Sequence, residues 1–130
     1  MCSIISLLRP QQWIKNIFCF LPLFFDRHVF DMDYVIPPVF AFFAFCLASS
    51  GIYCLNDILD IETDRVHPTK RFRPIADGKV STKQGYIFMA FCWAASMFVI
   101  FFPGFSGGNK EYLFCIIVSY LFMNIAYCLW

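Results

Sequence analysis

The chain has 130 residues, of which 60% are hydrophobic, 21% aromatic and only 15% charged, and Phe alone occurs 18 times. A water-soluble domain is typically about 45–50% apolar and about 25% charged, so this composition suits a chain whose solvent is lipid. Ten basic and nine acidic residues leave a net charge of +1, which excludes intrinsic disorder driven by charge and offers no electrostatic footprint for nucleic acid.

The N-terminal stretch Ile4 to Leu8 is too short for a signal peptide and is interrupted by Arg9-Pro10 without a cleavage-like site. From there four apolar segments follow. The first, over 12–27, carries Lys15, Asn16 and Pro22 and is expected to bend at the proline. The second, over 35–56, is uncharged, with Ala44, Ala48 and Gly51 at spacings that suit close helix packing. The third and fourth, over 84–102 and 112–130, are also uncharged. A hydrocarbon core of about 30 Å requires about 20 apolar residues per helix, so the expected fold is an all-α polytopic membrane bundle of about four spans, forming one domain over 1–130.

Between the second and third spans, the loop 57–83 holds Arg65, Lys70, Arg71, Arg73, Lys79 and Lys83, six of the ten basic residues. Basic loops stay on the cytoplasmic side, which places this loop and the N-terminus in the cytoplasm. The fourth span runs to Trp130 with no polar tail, so the chain reads as the front part of a longer protein. The seven cysteines are scattered, mostly in apolar runs and without a CxxC pair, and read as small buried hydrophobes.

The chemistry is concentrated where the second span ends, in Asn56-Asp-Ile-Leu-Asp-Ile-Glu-Thr-Asp64. If the helix continues, then at about 100° per residue Asn56, Asp57, Asp60 and Asp64 fall at about 0°, 100°, 40° and 80°, a single polar stripe, while Glu62 falls on the far side. Stacked carboxylates repel unless a positive charge lies between them. Magnesium suits such a stripe, because it takes one or two carboxylates and completes its shell with water and phosphate oxygens. Asn56, Asp57, Asp60 and Asp64 are therefore the candidate metal ligands, with the three aspartates the candidate catalytic residues.

Lys70, Arg71 and Arg73 follow at once, in a loop punctuated by Pro68, Pro74 and Gly78. Basic forks opposite a metal-loaded acidic stripe would clamp the outer oxygens of a diphosphate, although anchoring of the loop by the positive-inside rule explains part of the charge. Lys15 and Asn16, about one turn into the first span, are further candidate substrate contacts, as is Asn124, which shares a face of the last span with Tyr120 and Tyr127. His67 is a lone histidine before a proline and a weak candidate for acid–base work.

Asn56-Asp-x-x-Asp60-x-x-x-Asp64 followed by Arg73-Pro-Ile-x-x-Gly78 resembles the first aspartate motif of the UbiA superfamily of intramembrane transferases. The segments Leu8-Arg-Pro-Gln-Gln-Trp-Ile-Lys-Asn16 and Asp64-Arg-Val-His-Pro-Thr-Lys-Arg-Phe-Arg-Pro74 resemble the decaprenyl-phosphate phosphoribosyltransferase-like branch most. The resemblance implies a bundle of about nine spans, of which this chain matches the first four, with Mg²⁺ as cofactor and a polyprenyl lipid as substrate. It implies that Asp57, Asp60 and Asp64, assisted by Asn56, bind metal and diphosphate, and that Lys70, Arg71 and Arg73 clamp phosphate. The donor it implies is phosphoribosyl pyrophosphate with a polyprenyl phosphate acceptor, or, in the wider family, a prenyl diphosphate with an aromatic acceptor. It further implies residence in the bacterial plasma membrane. The second aspartate motif of the family is missing, so a four-span remnant or assembly subunit is the non-enzymatic alternative. The CDP-alcohol phosphotransferases also use Asp-x-x-Asp, but Ile-Glu-Thr after Asp60 departs from their pattern.

Overall fold

A computed structural model describes residues 2–25, 30–102 and 110–130. The expected connections over 26–29 and 103–109, and with them the end of the first predicted segment, lie outside the described residues. Among the described residues seven α-helices follow in chain order: α1 (Cys2–Leu8), α2 (Pro10–Trp13), α3 (Leu21–Phe25), α4 (Met32–Leu59), α5 (Ile61–Val66), α6 (Thr82–Phe101) and α7 (Lys110–Leu129). Two 3₁₀ segments, Ile14–Phe20 and Lys70–Phe72, connect them, and the described residues contain no strand. The fold is an all-α membrane helix bundle.

Among the described residues three helices, α4, α6 and α7, are long and apolar enough to cross a membrane. The segment 12–27 was expected to supply a fourth span; its described residues form three short pieces instead, α2, the 3₁₀ segment and α3. Pro22 sits in the first turn of α3, where its missing N–H costs nothing, and the tighter 3₁₀ winding precedes it. This broken segment packs along α4, where Phe20 meets the Phe42 ring at 5.6 Å between centroids.

At about 1.5 Å per residue the 28 residues of α4 rise about 42 Å, well beyond a hydrocarbon core of about 30 Å. Asp31 caps its start, accepting from the Asp33 N–H at 3.2 Å. The Asn56–Leu59 turn therefore stands at one end of the bundle, just past the apolar length. The helix α6 returns antiparallel: Ser96 Oγ donates to the Ala44 carbonyl at 2.8 Å, and Cys54 Sγ donates to the Gly85 carbonyl at 3.3 Å. This close approach is possible because Ala44, Ala48, Gly51 and Cys54, small residues, line that face of α4. The start of α6 is fixed by a reciprocal cap between Ser81 and Gln84.

The third long helix, α7, runs parallel to α4. The Phe45 and Tyr120 rings meet edge-on at 5.6 Å near mid-helix, and Cys128 Sγ lies 3.7 Å from Asn56 Oδ1 at the motif end. Two buried clusters hold the assembly. Ala44, Ala48, Ile100 and Ile117 join α4, α6 and α7, while Leu7, Cys54, Ile58, Ile75 and Val80 tie α1 and the motif loop to α4. The second cluster brings the N-terminal helix and the basic loop to the acidic end of α4.

Candidate functional site

The acidic stripe does not continue on one unbroken helix. α4 ends at Leu59, Asp60 takes φ −91° and ψ 9°, and α5 begins at Ile61. Backbone bonding nevertheless carries through the break, since the Asp60 N–H donates to the Asn56 carbonyl at 2.9 Å and the Asp64 N–H to the Asp60 carbonyl at 2.8 Å. Helical spacing thus survives, and the stripe resolves into two pairs. Asp57 and Asp64, two turns apart, are buried together, each with a side chain no more than 2% exposed. Asn56 and Asp60, one turn apart, form the second pair, with Asn56 Nδ2 donating to Asp60 Oδ2 at 2.9 Å.

The positive charge that the buried pair requires is supplied by arginine. Arg73 Nη1 donates to Asp57 Oδ1 at 3.0 Å and to Asp64 Oδ2 at 2.6 Å, and Arg9 Nη2 donates to Asp57 Oδ1 at 2.5 Å. Lys70 Nζ lies 3.9 Å from Asp64 Oδ1. Buried carboxylates that are paired and bonded in this way avoid the penalty of an isolated buried charge. Arg73 reaches back because Pro74 forces its backbone into the extended region, φ −63° and ψ 142°, so that the side chain leaves the loop toward α4 and α5.

The loop that carries Arg73 is a structured element. His67 Nδ1 accepts from the Thr69 N–H at 3.2 Å and the Lys70 N–H at 3.3 Å, so His67 shapes the turn. The Val80 N–H donates to the Pro74 carbonyl at 3.0 Å, Gly78 turns the chain at φ +76°, and Ile75, Ala76 and Val80 are buried beneath.

Arg9 is the residue that sequence reasoning passed over. The sequence shows it as a break before the first apolar segment and as part of the Leu8–Asn16 motif, with no role at the acids, yet it sits in the left-handed region at φ 48° and ψ 59°, a conformation that costs a non-glycine residue roughly 1–2 kcal/mol. Neighbouring contacts hold it there: Ser50 Oγ donates to the Leu8 carbonyl at 2.7 Å, Trp13 Nε1 donates to Ser50 Oγ at 3.1 Å, and the Arg9 guanidinium lies 5.2 Å from the Tyr53 ring centre. The signal in the sequence was Arg9-Pro10 at the mouth of an apolar segment, which marks a forced non-helical joint. Spacing alone could not show that this joint lands on Asp57, 48 residues away.

Other candidates fall elsewhere. Arg71 stacks on Phe72 at 4.8 Å and, with Arg65, lines a separate cavity with Ala76 and Asp77, so it is not brought to the buried acids. Asn16 Nδ2 donates to Cys46 Sγ at 3.3 Å, nearly three helical turns from Asn56, and Lys15 is exposed. Asn124 Nδ2 donates to the Tyr120 carbonyl at 2.8 Å within α7, one turn from Cys128. Glu62 stands apart from the site, paired with Arg65 at 3.2 Å.

Among the described residues no three His, Cys, Asp or Glu side chains converge on one point. The donor set fits a magnesium ion in kind, since it consists of oxygens and Mg²⁺ needs only one or two carboxylates from protein. Asp60, which has no ion pair among the described residues, and the adjacent Asn56 are the groups whose charge and lone pairs are not already committed to arginine.

Comparison with known proteins gives the family. The profile of the UbiA prenyltransferase family matches residues 20–130, and the chain belongs to that family. It is 38% identical over 128 residues to the decaprenyl-phosphate phosphoribosyltransferase of Corynebacterium glutamicum, covering 97% of this chain and 37% of that protein. It is also 38% identical over 130 residues to the protein of the same name in Mycolicibacterium smegmatis, covering 97% of this chain and 39% of the relative. Nodulation protein NoeC of Azorhizobium caulinodans is 34% identical over 119 residues, covering 92% of this chain and 36% of NoeC. The chain thus spans about two fifths of the length of these relatives.

Proposed function

We propose that the chain forms part of a membrane-embedded transferase that moves 5-phosphoribose from phosphoribosyl pyrophosphate to a polyprenyl phosphate. The observation that carries this reading is the Asp57–Arg73–Asp64 bridge at the end of a membrane-spanning helix, with the Asn56–Asp60 pair beside it. Cations and an unpaired carboxylate gathered at the end of a long apolar helix support a site that serves both a lipid phosphate and a water-soluble donor. The names of the two 38% identical relatives support the same donor and acceptor.

In the reaction the bond between C1 of the ribose and diphosphate breaks, an oxygen of the lipid phosphate bonds to C1, and diphosphate leaves with the electron pair. Asp60 and Asn56 are the residues that would hold Mg²⁺, which would supply neutralising charge for a diphosphate leaving group. Arg73 and Lys70 present N–H donors to its outer oxygens, the kind of preorganised charge that contributes most to such steps. Asp57 and Asp64 hold Arg73 in place. The basic loop favours a site that opens to the cytoplasm, in a bacterial plasma membrane.

The test is radiolabel transfer in membranes that carry the protein. Label passing from phosphoribosyl pyrophosphate to added polyprenyl phosphate, dependent on Mg²⁺, is the expected result. Transfer only from a prenyl diphosphate to an aromatic acceptor would replace this reading with the family's other chemistry, and no transfer from either donor would leave the chain as an assembly or remnant segment.

A further inference from the structure

A cavity of about 280 Å³ opens between the N-terminal segment and the motif loop, lined mainly by Arg9, Gln11, Gln12, Asp57, Thr69 and Arg73. It lies on the Arg9 side of Asp57, and neither Asn56 nor Asp60 lines it. We propose that this cavity is a sugar-phosphate subsite, in which Arg9 and Arg73 hold a phosphate monoester and Gln12 with Thr69 reads the hydroxyl groups of the sugar. The proposal deepens the phosphoribosyl reading above and rests on it for the identity of the sugar.

Three observations carry it. The first is charge: Arg9, Arg73 and Lys70 stand against Asp57 and Asp64, so the cluster behind the cavity keeps one positive charge. The second is donor geometry. Arg9 engages Asp57 through Nη2, and Arg73 engages both acids through Nη1 alone, so each planar fork keeps further N–H groups for a second oxyanion. These guanidiniums are already oriented, with side chains 16% and 22% exposed, and ordering them for a ligand costs little.

The third observation is the polar remainder. The Gln11 and Gln12 amides and the Thr69 hydroxyl surround the cations, and only Phe72 and Pro74 are apolar. Amides that both donate and accept suit hydroxyl groups, and a polyprenyl chain would find no apolar wall. The volume is at the small end of ligand sites, as a pentose phosphate requires. The strained backbone of Arg9 fits the same reading, because left-handed non-glycine residues persist where the surroundings over-determine them and they cluster at ligand clamps.

The experiment measures binding to the detergent-purified protein of two probes, ribose 5-phosphate and a short-chain prenyl phosphate. Two variants are compared, Arg9→Gln and the milder Gln12→Leu. The expected result is that each variant weakens ribose 5-phosphate by about tenfold or more, as loss of a hydrogen bond to a charged or sugar group implies, and leaves the prenyl phosphate unchanged. Equal loss of both probes in Gln12→Leu, selective loss of the prenyl phosphate, or no binding of ribose 5-phosphate to the unaltered protein would each overturn the proposal. Should Arg9→Gln not fold, Gln12→Leu decides alone. Binding is read without turnover, so a negative result here with intact label transfer refutes the subsite and not the reaction, whereas positive binding without transfer refutes the reaction and not the subsite.

Discussion

Arg73 Nη1 stands 2.6 Å from Asp64 Oδ2, although nine residues and the end of a helix separate them in the chain. The carboxylate is 1% exposed, so removal of the guanidinium leaves a buried charge, which typically costs about 3–5 kcal/mol. Arg73→Ala is expected to destabilise the protein on that scale in a detergent unfolding assay. Arg73→Ala with Asp64→Asn should recover a large part of the loss. A double variant no more stable than Arg73→Ala would sink the assignment of this pair as the loop's main anchor.

The contact between Gly51 and Trp93 gives a second expectation, inside the bundle. A methyl group on Gly51 would collide with the Trp93 indole, and overpacking of this kind costs about 1–3 kcal/mol. Gly51→Ala should therefore lower stability, and a smaller ring in Trp93→Phe should restore it in the pair. Trp93 Nε1 is buried without a partner among the described residues, so Trp93→Phe alone also removes an unpaired donor and should be close to neutral.

The chain writes its spans and its acids plainly, and its joints poorly. The helix over 32–59 was legible because apolar residues run without charge from Val35 to Leu55, and α6 and α7 were legible for the same reason. The spacing puts Asn56, Asp57, Asp60 and Asp64 on one stripe, and the structure divides that stripe into two pairs. What spacing could not show was the counter-charge. Arg73 reads as a clamp for substrate and Arg9 as the break before the first apolar segment, yet both lie on Asp57 because Pro74 and Pro10 set the backbone beside them. In the first apolar segment composition reports length, whereas the change of winding before Pro22 depends on packing along α4.

At Asp60 the expectation concerns metal. Asp60→Asn keeps the hydrogen bond from Asn56 but removes the one carboxylate of the stripe that no cation pairs among the described residues. The Mg²⁺ concentration for half-maximal transfer should rise by about tenfold or more, the scale on which ligand-shell changes weaken a metal, with thermal stability unchanged. An unaltered Mg²⁺ dependence would move the ion elsewhere.

Glu62 is the control. Its carboxylate is 86% exposed, and its pairing with Arg65 is of the surface kind that contributes about 0–1 kcal/mol. Glu62→Gln should leave both stability and label transfer within error, whereas Asp64→Asn, two residues on, should impair both. Equal effects of the two would mean that the faces of α5 are misassigned.

Gly78 turns at φ +76°, with nothing within 4 Å of where a β-carbon would lie. Gly78→Ala is therefore expected to cost about 1 kcal/mol through backbone strain alone. Gly78→Asn, which tolerates this region better, should cost less in the same unfolding measurement.

The buried acids also bear on how the protein reaches its bilayer. Asp57 and Asp64 carry two negative charges and Arg9 and Arg73 two positive ones, so the quartet is electrically balanced by covalent parts of one polypeptide. Carboxylates at the edge of hydrocarbon are expensive when left alone, and a site that relied on a divalent ion for balance would tie biogenesis to the ionic supply of the cell. Here the segment carries its own counter-ions, so assembly of this end of the bundle is expected to be independent of the metal supply.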